Sequence, residues 1–327
     1  MSTSDHPVVA VYLRPDDLAA ALAADVEAGL TSRPKQLSPK WLYDPVGCDL
    51  FEQICDLPEY YPTRTERAIL QAHAGQLAEL TQASSLVELG SGTSDKTRLI
   101  LDALVAQGSL REFVAFDVAE PTLRAALAQL GRVYPGVTMA GVVGDFEVHL
   151  DRIPGAQGRL LAFLGGTIGN LEPLARSEFL STLAKVLQPG EFFLVGTDLV
   201  KDPARLVAAY DDAAGVTAAF DRNVLAIINR ELDADFDLDA YTHVARWDPD
   251  EEWIEMRLRA ERAQRVELRQ LGLTVEFAQG EELRTEVSAK FRPEGIGAEL
   301  AAAGLATVAQ WSDPAGDYAL TLTRREA

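Results

Sequence analysis

The sequence predicts an α/β protein: a doubly wound, mostly parallel sheet with an α+β lobe inserted before the final helix and hairpin. Three observations predict it. From Thr65 to about Lys201, short apolar runs alternate with amphipathic helical segments, the pattern of a parallel sheet covered on both faces. Beyond Lys201 that alternation stops and segments of period two follow, which read as antiparallel strands. A glycine pair, Gly90 and Gly92, follows the first apolar run, where a doubly wound sheet places its ligand turn.

The elements follow in order. "DDLAAALAADVEAGL" (16–30) is an amphipathic helix, and "TERAILQAHAGQLAELT" (65–81) is a second. "SLVEL" is a buried strand, "SDKTRLILDALVAQG" a helix and "EFVAFDV" the next strand. A helix from Pro121 to Val133, strands "VTMAGVV" and "RLLAFLGG", a helix "LARSEFLSTLAKVLQ" and a strand "EFFLVGT" complete the alternation. "KDPARLVAAYDDAAGVTAAFDRNVLAIINREL" opens with Asp202 as N-cap and Pro203 at the first helical position, and can break at Gly215. "YTHVARW", "WIEMRLRAERAQRVEL" and "RTEVSAKF" are the antiparallel strands, with "DPDEE" as the first turn. The tail is a helix followed by a hairpin. We expect one domain of residues 64–200 plus 291–327 and a lobe of residues 14–63 plus 201–290.

The 327 residues, 47% hydrophobic, suffice to bury a core in each part. A formal charge of −20 repels polyanions, so neither nucleic acid nor an anionic membrane is an expected partner. Cys48 and Cys55 are the only cysteines, and His6, His73, His149 and His243 are scattered, so no metal-ligand spacing arises and no metal is expected. Two thiols, a start without a basic head and apolar core, and no run near the ~20 apolar residues of a membrane span point to a cytoplasmic protein. A monomer is expected.

A dinucleotide fingerprint would place a third glycine at position 95, where this chain has Asp95. A carboxylate in the first helical turn opposes a pyrophosphate. Asp117 ends the second strand, where ribose hydroxyls are gripped, and Asp145 and Phe146 end the third, offering an acceptor for an exocyclic amine and a face for a base. Together they describe a nucleoside site without a phosphate site. S-adenosylmethionine fits that description.

"SPKWLYDPVGCDLFEQICDLPEYYPTRTERAIL", "LVELGSGTSDKTRLILDAL", "GDFEVHL", "FLGGTIGNL", "GTDLVKD", "AAYDDAAGVTAAFDRNVLAIINREL" and "TEVSAKFRP" closely resemble the histidine-specific N-α-methyltransferases of ergothioneine biosynthesis, from about residue 15 to residue 323. The resemblance implies a class I methyltransferase-like, Rossmann-like core and transfer of three methyl groups from S-adenosylmethionine to the α-amine of L-histidine, giving hercynine. It implies that Tyr43, Gly90, Lys96, Asp117, Asp145 and Phe146 bind the cofactor. Tyr60, Asn170 and Tyr210 would hold the amino-acid end of histidine, Glu286 and Ser288 its imidazole, with Phe51, Gly165, Thr167 and Met256 near the pocket.

The residue types suit that chemistry. In-line displacement needs the amine roughly 3 to 3.5 Å from the methyl carbon, so positioning dominates. Glu286 and Ser288 are two apart in a strand and leave the same face, a carboxylate and a hydroxyl for two ring nitrogens. Lys96, expected in the first turn of the helix after Gly92, offers a charge to the cofactor's carboxylate. Tyr43 and Tyr60 are the expected catalytic residues: with Phe51 they offer aromatic faces to the growing ammonium charge, and a water or a tyrosine carries the amine's proton away. Other readings keep different acceptors or none: an N-methyltransferase of another small amino acid, a nicotinamide dehydrogenase, which Asp95 opposes, or a nucleoside-binding regulator, which has no need of an acceptor pocket.

Overall fold

The computed structural model describes residues 7–155 and 157–326; His6 lies outside them. Along the chain come β1 (Val8–Val11), α1 (Pro15–Thr31), β2 (Lys35–Gln36), α2 (Pro45–Asp56), α3 (Pro62–Thr81), β3 (Ser85–Leu89), α4 (Arg98–Gln107), β4 (Glu112–Asp117), α5 (Glu120–Val133) and β5 (Thr138–Val143). Then follow β6 (Arg159–Phe163), α6 (Pro173–Val186), β7 (Phe192–Asp198), α7 (Pro203–Tyr210), α8 (Val216–Leu232), β8 (Tyr241–Asp248), β9 (Trp253–Ala260), β10 (Gln264–Leu268), β11 (Leu273–Phe277), β12 (Glu282–Ala289), α9 (Pro293–Ala302), β13 (Leu305–Ser312) and β14 (Tyr318–Arg325).

Two compact units divide the chain. The first takes the segment through Arg14, Arg64–Leu199 and the segment from Phe291 onward. Its sheet has the order β1-β5-β4-β3-β6-β7-β14-β13. Strands β1, β5, β4, β3, β6 and β7 run parallel, and the β13–β14 hairpin joins antiparallel to β7. This is the doubly wound, mostly parallel sheet expected from the sequence. Every residue of β3 and β6 is buried, as two helix-covered faces require. The strand order reverses beside β3, which puts the turn after β3 at the switch point where such sheets bind ligands. Leu86, Leu101, Phe113, Leu160, Leu194 and Leu322 belong to its core.

The second unit, Pro15–Thr63 with Val200–Lys290, holds a four-stranded sheet of order β2-β12-β9-β8 and a β10–β11 hairpin. Its separate core includes Leu42, Phe220, Leu225, Tyr241, Leu258 and Leu283. Asp202 caps α7 by accepting from Ala204 N at 3.0 Å. The long helical run does break, with α8 starting after Gly215.

Two expectations need correction. The run "WIEMRLRAERAQRVEL" is two strands, β9 and β10, joined at Glu261–Ala263. Lys96 and Asp95 precede the helix rather than open it, because Ser94 at φ +55 interrupts the helical path and α4 begins at Arg98.

Candidate functional site

In the first unit, the carboxyl ends of β3, β4, β5 and β6 lie along one sheet edge because these strands are parallel. Gly90 (φ +65) and Gly92 (φ +47) shape the turn after β3, conformations that cost an L side chain energy but glycine little. A Cβ added to either would meet nothing within 4 Å. Asp117, at the end of β4, accepts Gly92 N through Oδ2 at 2.8 Å and Ala119 N through Oδ1 at 2.9 Å. Each oxygen keeps acceptor capacity for a ligand hydroxyl. Burial raises the Asp117 carboxyl above its ordinary range, against the pull of those backbone N–H groups.

Gly144 N donates to Asp117 O at 3.0 Å, tying the ends of β4 and β5 together. Asp145 Oδ1 accepts Glu147 N at 2.8 Å, and Asp145 N donates to His149 Nδ1 at 3.2 Å. The Phe146 ring lies edge-on to Phe163, centroids 5.1 Å apart. After β6 come Gly165, Thr167 and Asn170, the last two in a short 3-10 turn. Thr167 Oγ1 donates to Leu164 O at 3.1 Å.

Sequence reasoning missed the acid that anchors this edge. Glu66 on α3 is fully buried. It pairs with Lys96, accepts Gly165 N at 2.9 and 3.0 Å, and accepts the Tyr318 hydroxyl at 2.9 Å. A Cβ at Gly196 of β7 would sit 2.1 Å from Glu66 Oε1, so glycine there makes room for the acid. The signal was present: Glu66 shares the apolar helical stripe of Ile69, Leu70 and Leu77.

A second buried acid, Glu88, lies in β3. Its Oε1 accepts the Thr97 hydroxyl, while Oε2 has no partner among the described residues. Burial pushes it up to about 7, against the Thr97 and Ser94 hydroxyls and the Lys96 charge.

A nucleoside with an amino-acid tail fits this edge by its donor set. Two strand-end carboxylates can accept hydroxyls or an amine, and the Lys96 ammonium, paired with Glu66, has hydrogens left for a second carboxylate. The buried Ser91 hydroxyl, between the two glycines, has no partner among the described residues. Among those residues no group of three or more His, Cys, Asp or Glu side chains could hold a metal ion, and no helix is long and apolar enough to cross a membrane.

The second unit gathers the other predicted residues. Tyr43, Phe51, Tyr60 and Tyr210 form a chain of edge-on rings: Tyr43–Phe51 5.5 Å, Phe51–Tyr60 6.1 Å and Tyr60–Tyr210 6.1 Å between centroids. Phe220 of α8, unanticipated, closes it at 5.4 Å from Tyr43. Burial raises the Tyr43 phenol well above its ordinary range, and the negative charge of Glu286 adds to this. Tyr60 is raised likewise, by burial and then by Tyr210.

On β12, Glu286 pairs with Met256 and Ser288 with Ile254 of β9. Directly opposed residues are neighbours on one face, so Met256, Glu286 and Ser288 adjoin. Lys290 follows in the same alternation. Its Nζ donates to Ser288 Oγ at 2.7 Å and to Tyr210 Oη at 2.8 Å, and the two hydroxyls are 2.8 Å apart. All three side chains are buried. Tyr210 is also held from behind: His243 donates Nε2–H to Tyr210 O at 2.8 Å and pairs with Asp221 through Nδ1 at 2.7 Å. Burial pushes His243 down, but Asp221 outweighs it and the imidazole is raised.

The predicted cofactor residues therefore divide, Tyr43 in the second unit and Gly90, Lys96, Asp117, Asp145 and Phe146 in the first. The predicted substrate residues divide too, Gly165, Thr167 and Asn170 in the first unit and Phe51, Tyr60, Tyr210, Met256, Glu286 and Ser288 in the second.

A family profile described as histidine-specific methyltransferase, SAM-dependent, matches residues 22–325. A histidine N-alpha-methyltransferase of Mycolicibacterium smegmatis is 60% identical over 317 residues, 97% of this chain and 99% of the relative. The enzyme of the same name from Mycobacterium tuberculosis is 57% identical over the same shares. An Aspergillus fumigatus N-methyltransferase, fsqC, is 29% identical across 95% of this chain and 86% of its own length.

Proposed function

The chain belongs to the histidine-specific, S-adenosylmethionine-dependent methyltransferases, and from that premise we propose that it methylates the α-amine of L-histidine three times, giving hercynine for ergothioneine biosynthesis. The observation that carries this is the 60% identity, over nearly the whole of both chains, to a histidine N-alpha-methyltransferase. S-adenosylmethionine supplies an electrophilic methyl group on a sulfonium.

The chain's own residues take these parts. The Gly90 turn and Asp117 hold the ribose, Asp145 and Phe146 the base, and Lys96 the carboxylate of the methyl donor. Glu286 accepts an N–H of the substrate imidazole and Ser288 faces the other ring nitrogen. Tyr60, Tyr210 and Asn170 orient the amino-acid end, as the family resemblance implies. Tyr43, Tyr60 and Phe51 turn aromatic faces to the ammonium that accumulates with each methyl. Burial raises both phenols, so phenolate is disfavoured. Desolvation favours the neutral amine, and water carries its proton away. The acidic composition, which disfavours self-association, and Cys48 and Cys55, which are not joined in a disulfide, support a cytoplasmic monomer.

The test offers the pure protein S-adenosylmethionine and a mixture of the standard amino acids. Histidine is expected to gain the mass of three methylene units in a mass spectrum. Gain on a different amino acid, or on none, overturns the assignment.

A further inference from the structure

We propose that Lys290 is a specificity-determining positioning residue: it fixes Ser288 as a hydrogen-bond donor, so that the site takes the neutral imidazole of histidine and rejects imidazolium. The inference rests on the reading above, in which Glu286 and Ser288 face the two ring nitrogens.

Hydrogens and lone pairs at Ser288 decide what it can bind. An ammonium donates and never accepts, whereas a serine hydroxyl has one hydrogen and two lone pairs. Lys290 Nζ at 2.7 Å therefore fills one lone pair of Ser288 Oγ. Tyr210 Oη, 2.8 Å away, also receives a hydrogen from Lys290, at 2.8 Å. Between the two hydroxyls one must donate. The phenol is a stronger hydrogen-bond donor and a weaker acceptor than the alkyl hydroxyl, because its ring draws charge from the oxygen. Its hydrogen fills the second lone pair of Ser288.

Ser288 then has both lone pairs occupied and its own hydrogen unused, and these two are its partners among the described residues. With Ser288 only 6% exposed, water is a poor substitute, and leaving a buried donor unmade is costly. The hydroxyl thus seeks a bare nitrogen. Glu286, on the same face of β12, accepts from the ring's other nitrogen. One donor and one acceptor match a neutral imidazole tautomer. An imidazolium presents two N–H groups and would set one against a hydroxyl that cannot accept.

Other ionisable groups surround the pair: Glu286 on β12, Lys290 just after it, Tyr210 on α7, and Tyr43 and Tyr60. Burial raises the last two phenols away from neutral pH. Glu286 is common to every variant compared below.

Histidine binding is measured by titration calorimetry in the presence of S-adenosylhomocysteine, at about pH 8 and about pH 5.5, either side of the imidazole's ordinary value of about 6.5. Wild type is expected to lose about tenfold in affinity on acidification, the loss of the neutral form. Lys290→Met frees a lone pair, lets Ser288 turn and accept from imidazolium, and holds the loss to about twofold. Lys290→Arg keeps the donors and follows wild type. Should Lys290→Met fail to fold, Tyr210→Phe frees the other lone pair and gives the same flattening. Parallel profiles for wild type and a folded donor-free variant overturn the inference. Absence of histidine methylation by wild type instead overturns the reading on which it rests.

Discussion

The carboxyl edge of the parallel sheet and strand β12 both bury charged side chains, by opposite means. At the sheet edge, one acid is met by groups from distant parts of the chain: Glu66 on α3, Lys96 after β3, Gly165 after β6 and Tyr318 on β14. On β12, three side chains two residues apart share one face, and the partners of Ser288 are Lys290 and Tyr210. The first arrangement is a point of structural convergence, where losing one member strands the others. The second sets the polarity of a single atom, and a change there is felt in ligand choice before stability.

The largest effect is expected at the convergence. Glu66→Ala leaves an amide, a phenol and an ammonium without their acceptor, and breaking a buried pair costs about 3–5 kcal/mol. Denaturant unfolding measures it. Gly196→Ala should be comparably damaging, since its methyl would meet the Glu66 carboxylate. Combined with Glu66→Ala, the penalty should fall below the sum, because the nearer of the two colliding oxygens is gone while the Tyr318 hydroxyl, 2.6 Å from that Cβ, remains. Full additivity would remove Glu66 from the centre of the edge.

Glu88 sharpens the contrast, being a buried acid in the same unit with one oxygen unpartnered among the described residues. Its folded value of about 7 lies above the ordinary 4.5. The folded state therefore holds a proton that the unfolded chain gives up between those values, and stability falls as pH rises through that window. The difference corresponds to about 3 kcal/mol once both states are ionised. Glu88→Gln should raise stability by up to that amount at about pH 8 and by little near pH 4.5. A variant no more stable than wild type at the higher pH would mean that Glu88 is not desolvated.

In the second unit the corresponding charge supports the site from behind. Both ring nitrogens of His243 face acceptors, Asp221 and Tyr210 O, with Asp211 adding negative charge nearby. Its raised value means that the imidazolium stabilises the fold fully below about pH 6.5 and that this is lost as pH rises through the folded value. His243→Gln should cost about 1.5–3 kcal/mol at pH 6, the worth of hydrogen bonds to a charged group. The deficit should narrow at higher pH. A deficit that is constant with pH would show that the ring is held neutral.

The same contrast explains what could be read from the sequence. Strands β3 to β7 announce themselves by apolar runs between amphipathic helices, and their parallel order places Gly90, Asp117 and Asp145 at one edge. Glu286 and Ser288 come from the family resemblance, and the local period of a strand adds only that both leave one face; Lys290 obeys the same period. Glu66 was illegible as an anchor, because its partners come from segments remote in sequence. The β9–β10 break was hidden for another reason: its turn, Glu261–Ala263, carries neither glycine nor proline. Strand β1 is apolar, VVAV, but only four residues long, and it lies far ahead of the regular alternation, so nothing in the sequence assigns it to the sheet edge where it pairs with β5.

The smallest effect concerns how β12 turns its acid inward. Arg284 pairs with Arg257 and Glu286 with the adjacent Met256, so two steps on β12 match one on β9. Thr285 is the additional residue of this bulge, and its Oγ1 donates to Met256 O at 3.1 Å. Without the bulge, Arg284 and Glu286 would share a face; with it, they are set on opposite ones. Thr285→Val removes that bond and keeps the branched shape, at about 1 kcal/mol. The Ser288–Ile254 and Ala289–Trp253 pairs beyond the bulge hold the register independently. Hence the KM for histidine should change by less than about twofold, since binding scales with free energy and no ligand group is lost. A rise of about tenfold at unchanged kcat would instead show that this one hydroxyl keeps Glu286 facing inward, making the acceptor side as dependent on a single bond as the sheet edge is on Glu66.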